Sequence, residues 1–288
     1  MASAGLLKGS VIAERIKEDI RSRIGRLGFR PALAGIQVGD NAAAGSYTQM
    51  QSRLASALGF DYRLHKLAAR TSLEDLKGLI DRLNLDVGVN GIIIQKPLPN
   101  EIDYLAAVRE ISPWKDVEGM HPYNIGHMFF PRPRIVPCTP AAVMELIKLS
   151  GVRLEGREAV VIGHSEIVGR PLALLLLDKL ATVTVCHIGT HSAGKLQEHV
   201  ARAEILVVAV GKAGIIKGKW VKEGAVVIDV GINRSNGMIV GDVEAAEAAS
   251  RASWITPVPG GVGPVTAAIL MRNFLEAASM QKKQSRND

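Results

Sequence analysis

Short apolar runs alternate with segments of helical spacing along most of this chain, and that alternation constrains the fold more than any other feature. Residues 33–38 (LAGIQV), 87–95 (VGVNGIIIQ), 159–162 (AVVI), 181–185 (ATVTV), 205–210 (ILVVAV) and 225–230 (AVVIDV) each read as a short buried strand. Tyr47, Gln51, Leu54 and Leu58 recur at steps of four, three and four, which predicts a helix over 46–58 with one shared face. Ser72 with Asp75 marks a capped start for a helix over 73–83. Thr139-Pro140 opens another that Gly151 stops, and helices are expected over 171–180 and 196–203. Strands alternating with helices predict an α/β chain built on parallel sheets.

The interruptions are as informative as the runs. Gly39-Asp40-Asn41 ends the first strand, and Pro97 and Pro99, which cannot donate to a ladder, end the second. Residues 112–140 carry six prolines and are too long for an ordinary connector, so they are expected to be functional or to cross between domains. The 288 residues suit one large or two modest domains.

Composition narrows the function classes. Hydrophobic residues at 47% and charged residues at 22% exclude a disordered chain. No apolar run approaches the roughly 18 residues of a membrane span. Cys138 and Cys186 are too few for a disulfide framework, which favours a reducing compartment; with no export signal at the N-terminus, the expectation is cytoplasmic. The net charge of +7 allows an anionic ligand or nucleic acid. The basic residues are interspersed with acids and lack an aromatic-rich basic motif, which argues against nucleic acid. No Cys/His cluster has metal-site spacing, so no metal is expected.

Four segments carry candidate chemistry. GHSEIVGRP (163–171) follows a strand and opens a helix. Gly163 and Gly169 permit tight turns, and backbone N–H groups at a helix start face an anion; the segment reads either as a dinucleotide loop or as a plain strand–helix turn, since it is not G-x-G-x-x-G. In VTVCHIGT (183–190), His187 stands where a dinucleotide fold meets the adenosine ribose, with no acid and no fixed cation beside it. TPVPGGVGPVT (256–266) reads as a stiff loop poor in side chains, neither helix nor strand, and Asp229 ends a strand before it. QKPLP (95–99) and WKDVEGMHPYNIG (114–126) place Gln95 at a strand end and Asp116 in the irregular stretch.

Together these segments resemble the methylenetetrahydrofolate dehydrogenase/cyclohydrolase family, the bifunctional FolD type. VGDN with Tyr47, QKPLP, KDVEG-x-HP-x-N-x-G, PCTP at 137–140, G-x-S-x-IVG-x-P, VIDVGIN and ITPVPGGVGP carry the likeness over nearly the whole chain. The resemblance implies an N-terminal folate-binding α/β domain (1–138), a Rossmann-type domain (139–265), a cleft between them, and a C-terminal helix (266–282) returning to the first. It implies a homodimer acting on small molecules, with hydride transfer from 5,10-methylenetetrahydrofolate to NAD or NADP and then hydrolysis to 10-formyltetrahydrofolate. Tyr47 would pack on the folate, Gln95 would orient the hydrolytic partner, and Asp116 would grip the pterin donors. Pro97, Leu98, Pro259, Gly260, Gly261 and Pro264 would complete the substrate site. The dinucleotide would meet Gly163, His164, Ser165, Ile167, Val168, Gly169 and Pro171. It would then meet His187, Ile188, Val210, Gly211, Gly231 and Ile232.

Two positions depart from the family. Its catalytic lysine falls one helical turn after Tyr47, where this chain has Gln51, which cannot titrate. Cyclohydrolase activity is therefore expected to be weak or absent. Lys96 stands where a leucine is usual and is the one basic candidate for rescue. NADP-using relatives commonly carry Arg and Ser where this chain has His164 and Ile188, which leans the expectation toward NAD. The alternatives are another Rossmann oxidoreductase with a different small substrate, or a folate-binding regulator without turnover.

Overall fold

Hydrogen bonding groups the strands into two parallel sheets and one hairpin. The computed structural model describes residues 4–284, leaving aside the side chains of residues 42–44. Contacts divide it into two units: residues up to Glu14 with Pro137–Ile269, and Arg15–Val136 with residues from Leu270 onward.

The sequence places residues 1–138 in one domain, but β1 (Gly5–Leu6) departs from that division. Its Gly5 N–H donates to Ser253 and the Leu7 N–H to Ile255, so the first residues join the sheet of the other unit. The helix Val262–Gln284 is divided at Leu270 between the units, and it starts earlier than 266. Gly263 and Pro264 lie in its first turn, where proline costs no intrahelical hydrogen bond; they are not part of a loop.

In the second unit β2 (Ala32–Val38) lies between β3 (Asp61–Leu67) and β4 (Gly91–Ile94), all parallel. Every residue of β2 is buried, as a central strand covered on both faces requires. β4 begins later than the apolar run suggests: Val87 is 94% exposed, in a turn closed by Val89 N–H donating to Asp86. The helix Ala42–Ala57 starts four residues ahead of expectation, and Leu73–Leu85 carries the reciprocal Ser72–Asp75 cap. Phe274, from the C-terminal helix, packs edge-on against Phe60 at 4.8 Å. Gly91 makes room for it, since a Cβ there would stand 2.7 Å from the Phe274 ring.

The 112–140 stretch is ordered by its own side chains. Lys115 is buried and spends all three ammonium hydrogens on the carbonyls of Leu83, Asn84 and Asp86 at 2.8–2.9 Å. A cation on the last carbonyls of a helix completes groups that have no intrahelical donor. The Lys115 carbonyl accepts from Ile92 N–H at 2.8 Å, which fastens KDVEG alongside β4.

In the first unit the chain continues through β5 (Glu158–Ile162), β6 (Thr182–Cys186), β7 (Ile205–Val208), β8 (Val226–Asp229), the hairpin β9 (Asn233–Ser235) and β10 (Met238–Val240), and β11 (Trp254–Ile255). The six-stranded parallel sheet has the order β1-β11-β8-β7-β5-β6. After β5 the chain places β6 on one side, then crosses to place β7 on the other. This is a Rossmann-type arrangement, and its switch point lies at the carboxyl end of β5, where ligands of open α/β sheets bind. Val160, Ile162, Leu206, Val208 and Val227 form the core beneath it.

Candidate active site

The switch point carries a cavity of about 500 Å³. Its walls come from the ends of β5, β6 and β7: Gly163, His164, Ser165 and Glu166, then His187, Ile188 and His191, then Val210 and Lys212. Backbone crowding explains two glycines. A Cβ on Gly163 would stand 2.3 Å from the Ala209 carbonyl, and one on Gly169 would stand 2.0 Å from the Gly163 carbonyl. Gly163 also has φ +119°, a conformation side chains oppose. The loop is thereby drawn tight against the start of the helix Gly169–Leu177, and the Ser165 hydroxyl accepts from Val168 N–H at 3.2 Å. Ile167, Val168, Gly169 and Pro171 shape this turn and helix start and are not cavity lining. His187 caps the segment Ile188–Ser192 with Nδ1 accepting from Gly189 N–H, and its ring lies 5.2 Å from that of His164.

Two buried carboxylates that the sequence reading passes over, or leaves unassigned, hold the far wall. Asp242 accepts from the N–H groups of Val210, Gly211 and Lys212 and from Asn233, all at 2.8–2.9 Å. Asp229 accepts from Gly231, Asp242 and Val243 N–H. Burial, with the charge of Asp242, pushes Asp229 up to about 6 against the pull of those three N–H groups. Gly211 and Gly231 thus serve the frame, and Ile232 is 69% exposed outside it. Asp242→Asn would set an amide against backbone donors. Charged hydrogen bonds are worth about 1.5–3 kcal/mol. The expected outcome is a rise of roughly tenfold or more in the dinucleotide KM with a smaller change in kcat, read from steady-state titrations.

The second unit gathers a different cluster. Gln51 is fully buried on the helix Ala42–Ala57, and its Oε1 accepts from Gln95 Nε2 at 2.7 Å and from the Tyr62 hydroxyl at 3.1 Å. Gln95 also donates to the Tyr62 oxygen at 3.3 Å. Tyr62 reaches this point because Gly35 has no Cβ, which would stand 2.2 Å from the hydroxyl. Burial raises the Tyr62 phenol above its ordinary value, so it stays neutral. Gln51 Nε2 is buried without a hydrogen-bond partner among the described residues. Tyr47 lies one turn earlier on the helix, 41% exposed.

Asp116 does not fit the role of ligand grip. Its carboxylate is buried and accepts from Gly119 N–H, His121 N–H and Asn124 Nδ2 at 2.8–3.0 Å, which folds the loop on itself. The other acid of the segment is Glu118, two residues on. Tyr104 donates to it at 3.2 Å, and the Lys96 ammonium lies 4.4 Å from the centre of the Tyr104 ring. Burial pushes the Glu118 carboxyl up to about 7, with Lys96 pulling it down and Asp116 adding to the rise.

Comparison with known proteins decides the family. The family model described as tetrahydrofolate dehydrogenase/cyclohydrolase, catalytic domain, matches residues 7–118, and that of the family's NAD(P)-binding domain matches 137–282. The chain belongs to this family. It is 47% identical to the bifunctional protein FolD of Pelobacter propionicus over 96% of this chain and 98% of that one. The crystal structure of the bifunctional FolD enzyme, a methylenetetrahydrofolate dehydrogenase/cyclohydrolase, from Campylobacter jejuni superposes with a TM-score of 0.93 at 40% identity, covering 97% of this chain and all of the other. The Trypanosoma brucei FolD, solved with NADP cofactor and inhibitor, gives 0.92 at 37%, covering 98% and 99%.

Membership in the dehydrogenase/cyclohydrolase family makes the cavity at β5 the NAD(P) side of the fold. Gly163, His164, Ser165, His187, Ile188 and Val210, expected from sequence, line it. Glu166, His191 and Lys212 also line it and were not anticipated. Pro259, Gly260 and Gly261 precede the C-terminal helix, with Gly260 at φ +105° and its carbonyl accepting from Gly9 N–H. Among the described residues no helix is long and apolar enough to cross a membrane.

Proposed function

We propose that this chain oxidises 5,10-methylenetetrahydrofolate to the 5,10-methenyl form, and that hydrolysis of that product to 10-formyltetrahydrofolate is weak or lost. The observation that carries the reading is the neutral network of Gln51, Tyr62 and Gln95. Removing a hydride from the methylene carbon leaves a cation stabilised by its two nitrogens, so the protein's task is positioning. Hydrolysis is different: the attacking water must lose a proton and a ring nitrogen must gain one. Two amides and a buried phenol supply no such carrier. The unpartnered Gln51 Nε2–H offers a hydrogen bond to a folate oxygen, and Tyr47, exposed one turn away, offers a flat face. Pro97 and Leu98 would line the substrate beside them. Glu118, not Asp116, would receive the pterin N–H donors.

The nicotinamide dinucleotide, when bound, supplies the hydride acceptor. The loop that Gly163 and Gly169 draw tight would present the backbone N–H groups at the start of the helix Gly169–Leu177 to its pyrophosphate, and the 500 Å³ cavity would give the adenosine half room. His164 and Ile188 offer no fixed cation for a 2′-phosphate, which supports NAD. The proposed setting is one-carbon folate metabolism in the cytoplasm, as a homodimer.

The test is a dehydrogenase assay with each dinucleotide on one preparation. Reduction of at least one is expected, with NAD favoured. A specificity constant for NADP more than about tenfold higher overturns the cofactor assignment, a difference of about 1.4 kcal/mol. No reduction of either overturns the enzyme reading in favour of a folate-binding regulator.

A further inference from the structure

β2 gives up a side chain at its centre, and a hydroxyl takes the space. Tyr62 on β3 pairs in register with Leu33, and the next residue of β2 on the same face is Gly35. The Tyr62 ring reaches along the strands onto that glycine: a Cβ there would stand 2.2 Å from the hydroxyl and 2.8 Å from the ring carbon that bears it. A glycine inside a strand weakens it and marks a close approach. Packing alone would be served by a ring without a hydroxyl. Here the hydroxyl donates to Gln51 Oε1 at 3.1 Å and accepts from Gln95 Nε2 at 3.3 Å. Gln95 donates to the same Gln51 oxygen at 2.7 Å, so the three side chains close a ring of hydrogen bonds. Both lone pairs of Gln51 Oε1 are used, and Nε2, buried and without a partner among the described residues, is left as the donor end. Burial first, then the charges of Tyr47 and Glu118, holds the Tyr62 phenol above its ordinary value; the ring thus keeps its proton and lies in the field of both residues assigned to the folate.

We propose that Tyr62 is a positioning residue for the oxidation: its hydroxyl fixes the Gln51 carboxamide so that the Nε2 donor meets the folate in one orientation. This deepens the dehydrogenase reading and rests on it. An amide held by one hydrogen bond can swing about that bond. The Gln51 oxygen is held by two from different elements, Gln95 at the end of β4 and Tyr62 on β3, and cannot. Without the Tyr62 hydroxyl, Gln51 would keep Gln95 alone, and the space over Gly35 would let the amide turn. A donor that must be ordered as the ligand arrives subtracts that ordering from the affinity. The loss falls on the bound substrate and on the transition state alike, which raises KM and leaves kcat in place.

Steady-state dehydrogenase kinetics on the full chain test this with Tyr62→Phe, Gln51→Met and the double variant, each checked for folding by thermal unfolding. Tyr62→Phe is expected to raise the folate KM by about fivefold or more, with kcat and the dinucleotide KM within about twofold of the wild type. In the Gln51→Met background the same exchange is expected to change the folate KM by less than about twofold, because the amide it positions is gone. Should Tyr62→Phe fail to fold, Gly35→Ala displaces the hydroxyl from the other side and is expected to give the same rise in folate KM, again only where Gln51 is present. An unchanged folate KM in a folded variant overturns the proposal and leaves the dehydrogenase reading standing. A full effect of Tyr62→Phe in the absence of Gln51 overturns it too, since Tyr62 would then be a contact in its own right. So does a matching loss in kcat and in dinucleotide affinity, the sign of a packing role. No reduction of either dinucleotide by the wild type overturns the dehydrogenase reading and this inference with it.

Discussion

Hydrolysis of methenyltetrahydrofolate by this protein is expected to run roughly 10²–10⁴-fold slower than in a relative with lysine at the position of Gln51, while hydride transfer persists. That factor is the usual cost of losing a general acid–base group. The local structure would make such a loss deeper than one exchanged side chain. Gln51 is fully buried, and its carbonyl oxygen is already shared by Gln95 and Tyr62. Gln51→Lys places an ammonium in that pocket, where the Tyr62 oxygen and the Gln95 carbonyl can accept from it. Burial there lowers a lysine toward the range useful for proton transfer. The variant is expected to raise hydrolysis by about tenfold or more and to add a pH limb that the wild type lacks. Lys96 is the competing source of a proton carrier, but it lies over Tyr104 beside Glu118 and not in the amide network. Wild-type hydrolysis well above the spontaneous rate, retained in Lys96→Ala, would sink the assignment of position 51 as the missing carrier.

What the sequence discloses, and what it hides, follows from which atoms carry the information. Strands buried on both faces are visible as apolar runs, so β2, β5, β7 and β8 are legible almost to the residue. β3 is not, because Arg63, Leu64 and Lys66 face solvent on an edge strand and interrupt the pattern. That omission hides Tyr62, the side chain that closes the Gln51 network. Gly35 is the only local hint of it, and a glycine in a strand says that something approaches without saying what. The Asp242 frame is hidden for another reason. Its partners are backbone N–H groups some thirty residues away, and such donors leave no trace in residue identity. In KDVEG the sequence offers two acids and no means to choose. Gly119 at φ +72° turns the chain so that Asp116 faces back into the loop and Glu118 is left facing Lys96 and Tyr104.

Glu118 is therefore expected to give the oxidation its pH dependence. Its carboxyl is held up near 7, against an ordinary value of 4.5, first by burial. Above that value it is a carboxylate able to accept two pterin N–H donors; below it, a neutral acid that accepts poorly. The specificity constant for the folate is expected to rise through about pH 7 to a plateau. Glu118→Gln should abolish that limb and lower the plateau by about 10²-fold, the scale of two charge-assisted hydrogen bonds at about 1.5 kcal/mol each. Stability moves the other way. Because the folded-state value lies above the unfolded one, the folded chain binds the extra proton between about pH 4.5 and 7, and this contribution, fully present at low pH, is lost as pH rises through 7. At pH 8 the wild type carries the cost of an ionised buried carboxyl, on the order of 2–3 kcal/mol. Glu118→Gln should remove much of that cost and melt higher there. A variant that is both less active and more stable at pH 8, and that converges on the wild type in stability near pH 4.5, identifies a carboxylate kept at an energetic cost for its ligand. A pH-independent specificity constant between pH 6 and 8 would assign the pterin donors to some other group.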